Sequence, residues 1–476
     1  MSKSSTVCAA DLAQSGRNPP CSFRISLGQN PPLVVRRLLR VLPGKRIVGE
    51  GEWAGQRVVA KLYVSKASQR HWAREVAGIE ALRKSGLPTP AVLYADRIES
   101  GGHALLTEFI DHAVSYDEVW GECRSRLAGD MTATERLKPL IELMARMHQS
   151  GVVQEDLHFG NFLLSPAGLF MIDGDTVRDC GGPVARTMVA QNLGRFVAQL
   201  PVGWDRHLDR LLESYEAAGG VSGLSIEELS REVGRERKRR LDDYFAKCAR
   251  DCTLFFFEKS ASRMISAWRD ALPAIGAVLK EPDHALDDGV RLKSGRTCTV
   301  ARVDTKAGVF VLKRYNLKNL THALSRAWRP SRAWHAWRAG NMLDSLGIPT
   351  PKPIAVIEER FGPLRRRAFL LTRYCEGISL LDRLSAEHVP EHAEQAAILE
   401  VFNALFGQRI THGDMKASNL LWCEGRMVLI DLDAMVQHAS ERVFRRAWRR
   451  DRARLLANWP ESSVLRHWLD ESLPRI

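Results

Sequence analysis

Apolar and polar positions follow the same order of periods twice along the chain. In the first run, residues 45–55 (K-R-I-V-G-E-G-E-W-A-G) and 56–63 (Q-R-V-V-A-K-L-Y) alternate with period two and predict two antiparallel strands joined by a turn. Residues 70–86 then switch to helical spacing. That helix is expected to end at Gly86, with Pro88 and Pro90 blocking its continuation. H-A-L-L-T-E-F-I at 103–110 predicts another strand, and Leu137, Leu140, Ile141, Leu143, Met144 and Met147 mark a helix over 135–149. The stretch from 185 to about 270 reads as mostly helical. Residues 1–22, rich in Ser, Pro and small residues, predict a mobile N-terminus.

The order then recurs at an offset near 260 residues. R-T-C-T-V-A-R-V (296–303) and G-V-F-V-L-K-R-Y (308–315) predict a strand pair, and a helix over 331–345 stops at Gly347 before Pro349 and Pro351. K-S-G-L-P-T-P at 84–90 matches D-S-L-G-I-P-T-P at 344–351, and L-L-T-E-F at 105–109 matches F-L-L-T-R-Y at 369–374. A helix over 391–407 takes the place of 135–149. The repeat therefore spans whole domains, expected at 23–275 and 276–476, each α+β and each large enough to bury its own core. The second is expected to have the shorter C-terminal part.

Composition narrows the picture. Of 476 residues, 45% are hydrophobic and 26% charged, as in ordinary globular proteins. No apolar run approaches bilayer-spanning length, and residues 1–22 lack the apolar stretch of a signal peptide. The nine cysteines form no framework, and Cys248 and Cys252 lack a second pair at zinc spacing. A cytoplasmic protein is expected. Its charge of +13 points to an anionic partner.

Two loops carry the candidate chemistry. Q-E-D-L-H-F-G-N-F-L-L (154–164) and H-G-D-M-K-A-S-N-L-L (412–421) are followed by F-M-I-D-G-D (170–175) and V-L-I-D-L-D (428–433). Asp156 precedes Asn161 by five residues and Asp173 by seventeen; Asp414 precedes Asn419 and Asp431 by the same distances. An Asp able to take a hydroxyl proton, and an Asn and a second Asp able to hold a hard cation, suit phosphoryl transfer. Asp175 and Asp433 either assist or cap the following turn. Lys61 and Lys313 each end an apolar strand and are expected to bind phosphates. Glu75 is the natural partner for Lys61, with Glu80 the alternative. The matching slots in the second copy hold Ala336 and Asn341, so that copy lacks the glutamate. Gly49, Gly51 and Gly55 form a candidate phosphate-covering loop, whereas the second copy offers only Gly289 and Gly295. Lys416 can contact a transferring phosphate, and His158 fills the same slot. His412 stands at the usual loop-start histidine, where the first copy has Gln154 and Glu155.

At these residues the chain resembles the protein-kinase-like superfamily, and most closely the bacterial lipopolysaccharide core kinases that phosphorylate heptose or Kdo sugars. The resemblance rests on the two Asp loops with their acidic strand ends, and on S-R-A-W…L-G-I-P-T-P-K-P with P-L-R-R-R-A-F-L-L-T-R-Y. It implies two tandem bilobal domains, ATP with Mg²⁺, and a sugar hydroxyl of the inner-core glycolipid as acceptor. Two alternatives stay open: a protein or small-molecule acceptor, and a non-catalytic tandem scaffold. Arg/Trp-rich segments at 322–338 (Trp328, Trp334, Trp337; Arg326, Arg329, Arg332, Arg338) and 441–456 suit the anionic inner face of the inner membrane, or else amphipathic helices with packed Trp. No nucleic-acid module is recognisable.

Overall fold

The alternating stretches of the first copy become one seven-stranded sheet. The computed structural model describes residues 5–65, 67–123, 126–306, 308–316, 330–362 and 364–476. The sheet is built from β1 (Ser5–Thr6), β2 (Phe23–Leu27), β3 (Asn30–Leu42), β4 (Arg46–Trp53), β5 (Gln56–Tyr63), β6 (Val92–Arg97) and β7 (His103–Glu108), in the order β1-β2-β3-β4-β5-β7-β6. Helix α1 (Ala9–Gln14) precedes β2, and α2 (Ser68–Lys84) connects β5 to β6. Val58, Ala60 and Leu62 bury one face of β5 against Ile25, Leu33, Val35, Ile47 and Leu106. Period two therefore turns Lys61 to the other face. Residues 5–14 correct the expected mobile N-terminus: β1 pairs with β2, and Ala9 and Leu12 are buried.

A helical lobe follows, with α3 (Tyr116–Gly121), α4 (Met131–Gln149), α5 (Arg186–Val197) and α6 (Leu208–Ala217), and α7 (Ile226–Cys248) begins in it and continues into the second unit. Asp130 caps α4 by accepting the Ala133 N–H at 3.1 Å, and the apolar positions read from the sequence form its buried stripe. Short strands frame the loops: β8 (Val114–Ser115), β9 (Val152–Gln154), β10 (Phe162–Ser165), β11 (Gly168–Met171) and β12 (Val177–Asp179). β10 pairs with β8 and β11, and β9 with β12.

The second copy repeats this plan. Its sheet runs β13-β14-β18-β19-β17-β16-β15, from β13 (Phe255–Lys259), β14 (Arg263–Trp268), β15 (Val290–Ser294), β16 (Cys298–Thr305), β17 (Gly308–Tyr315), β18 (Pro353–Phe361) and β19 (Leu364–Arg373). Helices α8 (Leu272–Lys280), α9 (Pro282–Asp288) and α10 (Arg332–Leu346) belong to this lobe. The other lobe holds β20 (Ile378–Ser379), α11 (Leu380–Arg383), α12 (His392–Gly407), β21 (Ile410–Thr411), β22 (Leu420–Cys423), β23 (Arg426–Leu429), β24 (Val436–Gln437), α13 (Glu441–Leu456) and α14 (Val464–Ser472). Five strands match in order between the copies: β3-β4-β5-β7-β6 and β15-β16-β17-β19-β18. The two extra strands sit on opposite edges, beside β3 in one sheet and beside β18 in the other.

The chain divides between Glu236 and Arg237, not at 275, with Leu200–Trp204 joining the second unit. The physical reason is pairing. Phe255–Lys259 and Arg263–Trp268 are strands, not part of a helical stretch, and β14 bonds β18 with Ile265 opposite Ile357. Phe255 is buried with Cys248 and Trp337.

The repeated P-T-P segments have one structural role. The Met171 N–H donates to the Pro88 carbonyl at 2.8 Å and the Thr89 hydroxyl donates to the Met171 carbonyl at 2.9 Å. In the second unit, the Leu429 N–H donates to Pro349 at 3.0 Å and Thr350 to the Leu429 carbonyl at 2.9 Å. Met171 and Leu429 each lie two residues before a candidate metal-binding Asp. The end of the helix in each sheet lobe is thereby tied to the strand that presents that Asp.

Candidate active site

In the first unit Lys61 stands opposite Val48 and Leu105. Its ammonium pairs with Glu75 and donates to the Ile172 carbonyl at 3.0 Å; Asp173 lies at 3.9 Å. Glu75 is fully buried, whereas Glu80 is exposed, so α2 settles which glutamate pairs with Lys61. Glu75 also accepts the Gly174 N–H at 3.1 Å and faces Arg46 at 3.7 Å. Burial pushes its carboxyl up, against the pull of Lys61. Burial works the same way on Asp173, but Lys61 and Arg46 outweigh it and hold that carboxyl low. Asp175 pairs with Arg74 of α2 at 2.9 Å.

The Asp156 loop is held by its backbone, which leaves its carboxylate open. The Asn161 side-chain amide donates to the Asp156 carbonyl at 2.8 Å, and the Ile172 N–H donates to the Asn161 carbonyl at 3.0 Å. With Nδ2 spent in this way, Oδ1 of Asn161 remains as an acceptor. Together with the Asp173 carboxylate it gives the oxygen ligands a hard cation requires, so these residues fit Mg²⁺. The Asp156 side chain is 65% exposed, and His158 Nε2 lies 3.9 Å from its carboxylate.

Gln154 takes over the work of the missing loop histidine. It is fully buried, donates to the Asp173 carbonyl at 2.8 Å and accepts from the Thr176 hydroxyl. In the second unit His412 bonds the Ile430 carbonyl at 2.9 Å. Either side chain joins the Asp loop to the strand end that carries the second acid.

The second unit keeps the same backbone and rewires the charges. Lys313 stands opposite Val300 and Leu370 and binds Asp431 at 2.6 Å and Asp433 at 2.9 Å. Asp433 also takes Arg332 at 2.7 Å and the Tyr315 hydroxyl at 2.6 Å. Burial would lower the Lys313 pKa, but Asp433 and Asp431 overcome it and raise the value. Burial would raise Asp431, and Lys313 reverses it. Ala336 and Asn341 occupy the helix slots as expected, both buried, with Asn341 accepting from Tyr244 at 2.8 Å. Asp414 is 32% exposed and is held by Arg454 at 2.8 Å and Lys416 at 3.1 Å. The Asn419 amide donates to the Asp414 carbonyl at 2.9 Å, as Asn161 does in the first loop.

The family model of the lipopolysaccharide kinase (Kdo/WaaP) family matches residues 52–178 and 287–465, together more than half of the chain. The chain belongs to this family. Each matched stretch holds one strand lysine, one Asp–Asn loop and one acidic strand end, so this lipopolysaccharide kinase family member carries kinase-like domains in tandem. A search of curated proteins gives no match. Among solved structures, the chain is similar to WaaP in complex with acyl carrier protein, with 18% identity and a TM-score of 0.33 over 44% of this chain and 88% of that one. It is also similar to the kinase domain of Mycobacterium tuberculosis PknI, with 13% identity and a TM-score of 0.29 over 43% of this chain and 95% of that one.

One expectation for this lipopolysaccharide kinase family chain needs correction. Gly49 and Gly51 lie mid-strand in β4, bonded on both sides, and do not form a phosphate loop. A Cβ at Gly49 would come within 2.7 Å of Val35 Cγ1, and one at Gly51 would overlap the Val34 carbonyl; close approach of β3 explains both glycines. Gly55 belongs to the β4–β5 turn, away from Lys61. The turn at the Lys61 end of the hairpin is residues 43–45, where Gly44 has φ +64°. Gly295 occupies the matching turn between β15 and β16. For the Arg/Trp-rich segments the buried tryptophans favour amphipathic helices with packed Trp, one of the two expectations. Trp337 is fully buried, and Trp448 is core and donates to the Pro474 carbonyl at 3.0 Å, so neither is an interface residue. Arg326, Trp328 and Arg329 lie outside the described residues.

Sequence reading missed one pair of supports. Asn192 donates to the Gln154 carbonyl at 2.6 Å and Arg195 to the Glu155 carbonyl at 3.0 Å. In the second unit Asp451 accepts the His412 N–H at 2.6 Å, and Arg454 donates to the Gly413 carbonyl at 3.0 Å. Both pairs sit three residues apart on the helix after the acidic strand end, which is the signal that could have found them.

Proposed function

We propose that the first domain transfers the terminal phosphoryl group of ATP to a sugar hydroxyl, heptose or Kdo, of the lipopolysaccharide inner core. The observation that carries this reading is the division of charge in its cleft. Lys61 is held by Glu75, Asp173 keeps its carboxylate 3.9 Å away, and Asp156 stands open to an acceptor. In the second domain the equivalent lysine is bound directly to Asp431, and Asp414 is clamped by Arg454 and Lys416.

The roles follow from these positions. Lys61 neutralises phosphate charge. Asp156 orients the attacking hydroxyl and receives its proton. Asn161 and Asp173 would hold Mg²⁺, which supplies charge neutralisation at the phosphates when bound. Glu75 keeps Lys61 from collapsing onto Asp173, and Gln154 fixes the distance between the loops that carry Asp156 and Asp173.

We also assign the outer face of α13 to the anionic surface around the acceptor, the inner face of the inner membrane. Arg442, Arg446, Arg449 and Arg450 lie opposite the buried Phe444, Trp448 and Leu455, are exposed, and have no acidic partner among the described residues. Among the described residues no helix is long and apolar enough to cross a membrane.

The test is phosphate transfer from ATP to purified core oligosaccharide. Asp156→Ala should lower the rate by about 10²-fold or more, and Asp414→Ala should leave it little changed. A normal rate in Asp156→Ala overturns the assignment. An absence of ATP–Mg²⁺ binding favours a scaffold, and unchanged core phosphate in a deletion strain favours a protein or small-molecule acceptor.

A further inference from the structure

The helix glutamate that pairs Lys61 has no counterpart in the second domain. Its slot holds Ala336, buried among Tyr315, Trp337 and Val356. Lys313 is nevertheless held as firmly as Lys61, by an acid from a different element. Asp433 lies two residues beyond Asp431, and its carboxylate is only 8% exposed. One of its oxygens takes Lys313 at 2.9 Å and Arg332 at 2.7 Å; the other takes the Tyr315 hydroxyl at 2.6 Å. Three donors from two elements leave this carboxylate a single orientation. Arg332 is the first residue of α10, and Tyr315 lies two residues beyond Lys313 on β17.

The matching acid of the first domain has another job. Asp175 pairs with Arg74 on the outer side of α2 and makes no bond to Lys61. The same loop slot thus fixes a helix in one domain and the lysine in the other. A buried ammonium needs a partner beyond the metal-binding acid, because that acid must be free to turn to its cation. In the first domain Glu75 is this second partner. In the second domain Asp433 is the residue in reach.

We propose that Asp433 is the positioning residue for Lys313, and that the second domain is a nucleotide site whose lysine is set from its own metal-side loop. The proposal rests on the kinase reading given above. It makes Asp431 and Asp433 unequal: Asp431 is the cation's ligand, and Asp433 holds the phosphate-binding lysine when Asp431 lets go. Arg332 and Tyr315 hold Asp433 in turn.

The experiment uses the full chain carrying Asp173→Asn, which silences the first site, and fluorescent methylanthraniloyl-ATP as the probe. This chain should bind one probe molecule in the presence of Mg²⁺. Adding Asp433→Asn should weaken probe affinity by about tenfold or more, while the Mg²⁺ concentration for half-maximal binding stays in place and the chain still unfolds cooperatively. Adding Asp431→Asn instead should raise the Mg²⁺ requirement. Arg332→Ala, which removes one tie on Asp433, should give an intermediate loss of affinity. Unchanged affinity in the Asp433→Asn chain overturns the proposal, as does a lost Mg²⁺ response in that chain. If the unsubstituted chain binds the probe and the Asp173→Asn chain does not, the second-domain site is refuted and the first-domain kinase stands. If neither binds it, the kinase reading itself fails.

Discussion

Gly78 and Gly174 meet backbone to backbone: a Cβ at position 78 would overlap the Gly174 carbonyl oxygen. The contact brings α2 against the loop that follows Asp173 and lets Glu75 accept the Gly174 N–H at 3.1 Å. Gly78→Ala should therefore reduce phosphoryl transfer despite the roughly 1 kcal/mol gained in helix propensity. The loss should appear in kcat and in the apparent Mg²⁺ affinity. A more active or unaltered enzyme would show that the close approach is dispensable.

Glu75 is fully buried between two cations, Lys61 and Arg46. Removing one partner of a buried pair leaves the others uncompensated. Glu75→Ala should cost about 3–5 kcal/mol in the first domain, measured by denaturant unfolding, and should raise KM for ATP. Glu80→Ala, at an exposed position of the same helix, should change neither.

Acid should destabilise the first domain through His148. This ring is buried, lies 2.8 Å from the Tyr215 hydroxyl and 3.0 Å from Asn192 Oδ1, and burial pushes its pKa down to about 4. Above pH 6.5 the folded and unfolded chains both carry it neutral, and it adds nothing to the pH dependence. Between 6.5 and about 4 only the unfolded chain takes the proton, so stability falls as pH falls, by about 3 kcal/mol at most. His148→Gln should flatten that part of the profile relative to the unsubstituted chain. Parallel profiles would mean that the ring titrates normally.

The arginine face of α13 should bind anionic bilayers by charge alone, since Phe444 and Trp448 are committed to the core. Arg442→Glu, Arg446→Glu and Arg449→Glu together should sharply reduce co-sedimentation with phosphatidylglycerol vesicles, at about 1 kcal/mol per arginine. Added salt should mimic the substitution, and phosphatidylcholine vesicles should bind neither form. Equal binding of both forms would remove the face from consideration.

Much of the architecture could be read from period and repeat. The P-T-P landmarks aligned the two helices correctly because one pair of hydrogen bonds fixes both, and the lysines kept one register against Val48 and Val300. Other features could not be read that way. The role of Gly49 and Gly51 depends on a neighbouring strand, so local sequence mistook close packing for a phosphate loop. Arg263–Trp268 has its β18 partner nearly a hundred residues away, with Ile265 opposite Ile357, and no local pattern announces such a pairing. Gln154 differs in residue type from His412, so residue type alone hides the shared task; its amide reaches the Asp173 carbonyl and does the same work. The rewiring at Asp433 shows only when Arg332, Tyr315 and Lys313 are brought together in space.

The opposite placement of the extra strands gives the two sheets different folding histories. In the first, β2 to β5 follow one another along the chain as antiparallel neighbours and can zip as hairpins. In the second, β14 must wait for β18, so Ile265 finds Ile357 only after closure of a long intervening segment. Until then the run Phe255–Phe256–Phe257 has no partner beyond its own hairpin, which makes it the stretch a chaperone would need to shield during synthesis. Pulsed hydrogen exchange during refolding should find β14 protected no earlier than β18, and well after β4 and β5.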